Sequence, residues 1–280
     1  MSRQADNELI VRLADSAAEV RAAQALRYRV FYENMGAMPT DEVRRLERDF
    51  DKFDLFCDHL LILDPSEGSP RNPRVVGTYR LLRGSQAELA GSFYSASEFD
   101  LSPLTGYPGE HLELGRSCVD PAYRNRAAMQ LLWKGIADYV RSYDIGLMFG
   151  CASFPGTDLY AMEQALSYLA CHRLAASEWR PRARPNRYVP MNRLTADRID
   201  LPMALRQFPP LIKGYLRLGA VVGDGAVIDG AFNTVDVCLL VETRSLPDRY
   251  MQHFKPTTEA KEAADLAAAE TAVEHEDRAA

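Results

Sequence analysis

Long apolar runs are missing from this sequence of 280 residues. The longest, around residues 145–154, is interrupted by Gly and Ser and is far shorter than the ~20 residues that a transmembrane helix needs. The first seven residues are polar, and no apolar segment of the kind found in secretory signals follows them. We therefore expect a cytoplasmic protein, and the sequence leaves peripheral contact with the inner membrane open.

Potential metal ligands are also scarce. The five cysteines are dispersed without a Cys-x-x-Cys pair, and the five histidines do not cluster with them. We therefore expect reduced, mostly buried thiols and no metal site. Lysine is rare, arginine is abundant and the net charge is −6, which argues against nucleic-acid binding and favours a specific anionic partner for the basic segments.

Hydrophobic periodicity predicts an α/β (α+β) fold, in which a mixed central β-sheet carries helices on both faces. The expected strands are residues 9–14, 59–64, 75–82, 112–119, 146–153 and 235–241, and the expected helices begin near Ser16, Ala127, Thr157 or Asp158, and Pro209. A capping-box pattern, Ser16 to Glu19, marks the first helix. Residues 1–254 are predicted to form one domain enlarged by a C-terminal extension. Residues 255–280 are Ala/Glu-rich and lack large apolar side chains, so we expect a frayed helix or a disordered tail.

The most informative segment is residues 113–126, where a strand ends, a basic turn follows and a helix begins. Free N–H groups at a helix N-terminus bind phosphate, and nearby arginines strengthen that binding. Residues 124–129 resemble the signature of the GNAT acyltransferases, Arg/Gln-x-x-Gly-x-Gly/Ala between a strand and a helix. Ala127 and Met129 replace the usual small residues, which weakens the case for coenzyme A and fits the single phosphodiester of phosphopantetheine. The resemblance implies an acyl-donor site made by Val119, Arg124, Arg126, Ala127 and Ala128.

A second resemblance is to the acyl-homoserine-lactone synthases, GNAT-like enzymes that use acyl carrier protein. Four of their motifs occur here in order, at residues 27–31, 51–54, 77–81 and 113–116. Two further segments, residues 150–158 and 209–219, resemble the ornithine N-acyltransferases that start ornithine-lipid synthesis. The resemblance covers about residues 9–254. It implies transfer of a (3R)-hydroxyacyl group from acyl carrier protein to the α-amine of ornithine, with no tightly bound cofactor and the phosphopantetheine of the carrier protein as the donor arm.

Acyl transfer to an amine requires that the amine lose a proton. Glu113 lies at the strand end before the donor turn, where thioester and amine must meet, and we predict that it is the base. The alternative is a structural salt bridge from Glu113 to Arg116 or Arg80. A covalent intermediate on Cys118 is a less favoured route, because no histidine adjoins it in sequence.

Complementary charges suggest where the amino acid binds. An arginine suits its carboxylate and an aspartate its side-chain ammonium. The predicted substrate-binding residues are Arg29, Asp51, Asp54, Arg80, Arg116 and Ser153. For the first four, an internal ion-pair network that orders residues 34–54 is an equally good interpretation.

Alternative functions stay open at this point. The chain could be a homoserine-lactone synthase, an acetyl-CoA N-acetyltransferase, or a GNAT-like binding module without activity. A cluster of arginines around two prolines is either a docking surface for an acidic carrier protein or a solvated loop. Its members are Arg180, Arg182, Arg184 and Arg187.

Overall fold

A computed structural model gives the fold of residues 9–69 and 72–246. The predicted tail, residues 255–280, lies outside the described residues. The elements in chain order are β1 Ile10–Leu13, α1 Ala17–Tyr28, α2 Asp41–Leu46, β2 Asp58–Ser69, β3 Asn72–Arg83, α3 Gly84–Ala90, β4 Phe99–Asp100, β5 Glu110–Val119, α4 Arg126–Ser142, β6 Ile145–Pro155, α5 Glu163–His172, β7 Arg182–Ala183, α6 Leu201–Gln207, α7 Pro210–Arg217, β8 Val221–Asp229 and β9 Thr234–Glu242. Across this part of the chain, no helix is long and apolar enough to cross a membrane.

All of these strands belong to a single sheet, in the order β1-β2-β3-β5-β6-β9-β8-β7-β4. The pairs β5–β6 and β7–β8 are parallel and the other pairs are antiparallel. Leu61 packs against Leu26 of α1. The next residue back along β2, Leu60, lies against Gly135 of α4. Because successive residues of a strand point to opposite faces, α1 and α4 cover the two faces, which confirms the predicted mixed sheet with helices on both sides.

Three local predictions need correction. The helix predicted to start at Thr157 or Asp158 begins instead at Glu163, because Asp158 caps a turn by accepting a hydrogen bond of 2.9 Å from the amide of Tyr160. Strand β8 was not predicted at all. The first helix is capped by Ser16 as expected, but the Glu19 carboxylate bonds the Asp15 amide and Arg12 rather than closing a capping box.

Candidate active site

A cleft opens where the two parallel central strands separate. Strands β5 and β6 are paired up to Glu113 and Phe149, and their ladder ends there. Beyond that point the strands form the walls of a cavity of about 630 Å³, lined by residues 113–119 on one side and 148–153 on the other. The outer edges of these strands are held by β3 and β9, so the rest of the sheet supports both walls.

Gly150 lies at the point where the strands part. A Cβ atom built on Gly150 would lie 2.3 Å from the carbonyl oxygen of Leu114, far inside normal contact. Only glycine allows β5 and β6 to approach this closely. The shape of the cleft therefore depends on the absence of a side chain at this position.

Gly150→Ala is expected to lower the free energy of unfolding by roughly 1–3 kcal/mol, the usual cost of forcing a methyl group into a packed site. Gly106→Ala is the matched control, because a Cβ there meets nothing within 4 Å. Urea denaturation of both variants measures the difference. Equal midpoints would contradict the close approach of Leu114 to Gly150.

Of the five predicted donor residues, Val119 and Arg124 line one end of the cleft, whereas Arg126, Ala127 and Ala128 form the start of α4 and do not line it. Val119 ends β5, and its carbonyl oxygen accepts a hydrogen bond of 3.0 Å from Nε of Arg124. Both residues line the cavity. Asn125 caps α4 by accepting a hydrogen bond of 3.0 Å from the amide of Ala128, which is fully buried. Within the described chain, the amides of Arg126 and Ala127 have no hydrogen-bond partner, so these two N–H groups are the ones open to an anion.

Glu113 lies at the inner end of the cleft and is held by three donors. Its Oε2 accepts from the amide of Tyr94 at 2.7 Å, and its Oε1 accepts from the amide and hydroxyl of Ser95 at 2.7 and 2.5 Å. Burial raises the pKa of Glu113 above its ordinary value, although the hydrogen bonds from Ser95 and Tyr94 oppose that shift. Among the described residues, Arg80 and Arg116 pair with aspartates and not with Glu113, so the salt-bridge alternative is not what the structure contains.

A buried ion-pair network borders the cleft. Three arginines alternate in it with three aspartates: Arg27, Arg80, Arg116, Asp49, Asp51 and Asp54. The guanidinium of Arg27 is completely buried and lies 2.8 Å from Asp49 and 2.7 Å from Asp54. Arg80 lies 2.7 Å from Asp51 and 3.2 Å from Asp54. The contacts of Asp51, Asp54 and Arg80 are therefore those of an internal ion-pair network.

Three residues predicted to bind the substrate, Arg29, Asp51 and Asp54, do not line the cleft. Arg29 is exposed on the π-helical turn that follows α1, and it takes no part in the network. Its neighbour Arg27 occupies the buried position instead. Asp51 and Asp54 do not line the cavity, whereas Arg80 and Arg116 do. Arg80 and Arg116 can therefore contact a ligand in the cleft directly.

Arg116 lines the cleft and is held between two aromatic rings. Its backbone is left-handed, with φ of 49°, and its guanidinium lies 4.7 Å from the ring of Tyr94 and 4.9 Å from that of Phe232. Both aromatic rings line the cavity. Stacking between two rings fixes the plane of the guanidinium, which suits it to hold a carboxylate.

Three carboxylates that the sequence did not point to meet beside Ser153. One oxygen each of Glu98, Asp229 and Asp236 lies within 4.8 Å of the others. Asp236 is the β9 partner of Ser153, and Asp229, Asp236 and Ser153 all line the cavity. The available signal was an aspartate inside the apolar run of residues 235–241, since a charge in a buried strand requires a compensating contact.

Cys118 also lines the cavity, but its chemistry is unsuited to a covalent route. Burial raises the pKa of the Cys118 thiol to about 12, so the reactive thiolate is scarce at neutral pH. This argues against a covalent intermediate on Cys118.

The arginine cluster of the Pro-rich segment binds largely to its own chain. Arg182 lies 3.3 Å from Asp224, and Arg187 lies 3.3 Å from Glu98. Nε of Arg180 and Arg184 donates to backbone carbonyl oxygens. All four lie outside the cavity lining, and Arg182 and Arg184 remain exposed.

Comparison with known proteins finds one family model and several similar sequences and structures. Residues 26–134 match a family model described as an acetyltransferase (GNAT) domain. The L-ornithine N(alpha)-acyltransferase of Brucella abortus (strain 2308) is 47% identical over 248 residues, which cover 88% of this chain and 88% of that protein. The enzyme of the same name from Rhizobium meliloti (strain 1021) is 48% identical over 248 residues, covering 88% and 84%. Among solved structures, an N-acyl amino acid synthase from uncultured soil microbes matches with a TM-score of 0.48 and 12% identity, covering 85% of this chain and 92% of that one.

Proposed function

Since this chain belongs to the L-ornithine N(alpha)-acyltransferase family, we propose that it transfers a (3R)-hydroxyacyl group from acyl carrier protein to the α-amine of L-ornithine. The product is lyso-ornithine lipid, and the reaction is the first step of ornithine-lipid synthesis. The observation that carries this proposal is the cleft between β5 and β6, with a buried carboxylate at its inner end and a helix N-terminus at its other end.

The chemistry is a direct displacement at the thioester. The α-amine attacks the acyl carbon, a C–N bond forms, the C–S bond breaks, and the phosphopantetheine thiol leaves with a proton. An α-ammonium has a pKa of about 8, so it must first lose a proton at neutral pH. In this proposal Glu113, whose pKa burial raises, takes that proton directly or through a water molecule.

The donor arm and the amino acid enter from different sides in this proposal. The phosphodiester of phosphopantetheine binds the free amides of Arg126 and Ala127 and the side chain of Arg124. No tightly bound cofactor is required. The carboxylate of ornithine binds Arg116, whose guanidinium faces the cleft between Tyr94 and Phe232. Arg80 supports Arg116 through their shared partner Asp51.

The function is tested by supplying the purified chain with 3-hydroxyacyl carrier protein and one amine at a time. Ornithine should be consumed, with an N-acylated product visible by mass spectrometry. Turnover of S-adenosylmethionine instead would identify a homoserine-lactone synthase, and turnover of acetyl-CoA without carrier protein would identify an acetyltransferase. Lipid extracts from cells that express the chain provide the same readout in vivo.

Docking of the carrier protein gives a separate prediction. Acyl carrier proteins are acidic, and exposed arginines are suited to guide them. Arg182→Glu/Arg184→Glu should raise KM for acyl carrier protein by roughly 2- to 10-fold, the scale of two exposed ion pairs, while kcat and KM for ornithine change little. Arg44→Glu/Arg45→Glu, an equally exposed pair on α2, is the control.

The rival interpretation is that the arginine cluster contacts the anionic surface of the inner membrane. It predicts a normal KM for carrier protein and weaker binding to anionic vesicles. Steady-state kinetics with and without such vesicles separates the two interpretations.

A further inference from the structure

The three carboxylates of Glu98, Asp229 and Asp236, of which the first and last are buried and Asp229 is half-buried, have too little positive charge around them. Nη2 of Arg187 lies 3.3 Å from Oε1 of Glu98. Among the described residues, Asp229 and Asp236 have no ion-pair partner. Oδ1 of Asp229 accepts hydrogen bonds from the amides of Ala231 and Phe232, at 2.8 and 3.2 Å. When all three carboxylates are ionised, one arginine faces them, so the described chain neutralises only part of their charge.

A second observation is independent of the charge count. Thr234 is only 4% exposed, and within the described chain its hydroxyl has no hydrogen-bond partner. Oδ1 of Asp236, on a residue that is 6% exposed, also lacks a partner there. Both residues line the cavity. Buried polar atoms that stay unpaired at a cavity wall are costly, and a ligand that donates hydrogen bonds relieves that cost.

A chain of side-chain contacts connects Glu113 to the cluster. Ser95 Oγ donates to Glu113 at 2.5 Å, Cys151 Sγ lies 3.2 Å from Ser95 Oγ, and the same sulfur lies 3.3 Å from Glu98 Oε2. Three contacts thus connect the two carboxylates. The two nitrogens of an extended ornithine are separated by five bonds and roughly 6 Å. Both Glu113 and the aspartates of the cluster line the same cavity, so one acceptor molecule can face both.

We infer that Asp229, Asp236 and Thr234, backed by Glu98, form the subsite for the side-chain ammonium of the acceptor amino acid. The inference rests on the proposed acylation of ornithine. A primary ammonium has three N–H donors, and the free oxygens of Asp229 and Asp236 with the Thr234 hydroxyl provide three acceptors. Arg187 beside Glu98 disfavours a divalent metal ion in the same place, because its positive charge would repel the ion.

The charge state of the cluster supports this assignment. Burial, together with the charge of Asp236, raises the pKa of Glu98 to about 7. Burial also raises the pKa of Asp236, the nearby hydroxyls of Ser153 and Thr234 oppose that shift, and the charge of Asp229 adds to it. A bound ammonium would reverse these shifts, since an opposite charge favours the ionised carboxylate.

The test compares ornithine with norvaline, which lacks only the distal amine. In the wild type, kcat/KM should favour ornithine strongly. Asp236→Asn should lower the ratio of the two kcat/KM values by about tenfold or more, the scale of one hydrogen bond to a charged group. Thr234→Val should lower the ratio less, because it removes a neutral acceptor. Asp138→Asn, an exposed residue of α4, is the control and should leave the ratio unchanged.

Melting temperatures provide a readout other than activity. Asp236→Asn removes a buried unpaired charge, so its melting temperature should equal or exceed that of the wild type without ligand. Ornithine should raise the melting temperature of the wild type, and this rise should be smaller in Asp236→Asn.

The outcomes separate the subsite from the function. An unchanged ornithine-to-norvaline ratio in Asp236→Asn, with ornithine still acylated by the wild type, overturns the subsite and leaves the function standing. Stoichiometric metal in the purified wild type, measured by elemental analysis, also overturns it. If the wild type acylates no ornithine, the function fails and the subsite fails with it.

Discussion

Replacement of Glu113 by glutamine is expected to lower turnover of ornithine by about 100-fold or more at neutral pH, as the loss of a general base usually does. The amide cannot accept the proton, so the variant depends on the fraction of ornithine whose α-amine is already neutral. That fraction grows as the pH passes about 8, and the deficit should shrink there. Measurement of kcat/KM against pH for both proteins gives the result.

The direction in which the rate of the wild type changes with pH follows from the burial of Glu113. Burial raises the pKa of Glu113, and a base works only when it is deprotonated, so the rate should rise with pH through that raised pKa. Glu110→Gln is the control, because Glu110 is on the same strand but does not line the cavity.

A purely structural role for Glu113 predicts a different pattern. Glutamine has one oxygen and cannot accept from the amides of both Tyr94 and Ser95 in the same way, so the variant would lose stability. Its turnover deficit would then be independent of pH. Near-normal turnover of Glu113→Gln at neutral pH would contradict the assignment as base.

Arg27→Met is expected to reduce the free energy of unfolding by roughly 3–5 kcal/mol, because it leaves Asp49 and Asp54 buried without one of their cations. Arg29→Met should change it by less than ~0.5 kcal/mol, because that side chain is exposed. The two positions are two residues apart, so they form a matched pair. Urea denaturation at pH 7 measures both.

The effect of Arg27 should depend on pH. Burial raises the pKa of Asp54, but the charges of Arg27 and Arg80 outweigh it and lower the pKa to about 2. An unfolded aspartate has a pKa of about 3.9. The ion pair therefore stabilises the fold fully above about pH 4, and this stability is lost as the pH falls toward 2. If the free energy of unfolding of Arg27→Met differs from that of the wild type by a constant amount from pH 7 to about 2, this account is wrong.

Regular periodicity explains which elements could be predicted. Helix α4 was expected at residues 127–143 and spans Arg126–Ser142, because an asparagine cap and a clear apolar face mark it. Strand β8 was missed because Gly223, Asp224 and Gly225 interrupt its apolar pattern. The start of α5 was misplaced because Thr157 and Asp158 are equally good residues for a turn.

The residues of the site show more clearly what the sequence could and could not predict. Arg27 follows Ala23 by four residues and precedes Val30 by three, so the helical period places it on the buried face of α1, and that signal could have distinguished it from Arg29. In the acidic cluster only Asp236 has a local signal, as a charge inside an apolar strand, and no spacing in the sequence links it to Glu98 or Asp229. Glu98 directly precedes β4, an edge strand of the sheet, whereas Asp229 and Asp236 flank the β8–β9 turn. Only the tertiary fold brings these three residues together.

The parting of β5 and β6 has a consequence for how the proposed phosphopantetheine arm would be held. Past Glu113 and Phe149, backbone groups on the inner edges of both strands lack the partner strand that the first four residues of β5 have. An extended arm with two amides, such as phosphopantetheine, can insert there and continue the interrupted ladder as an added strand would. Amide hydrogens of residues 115–119 and 150–153 should consequently exchange with deuterium more slowly once an acyl carrier protein is bound.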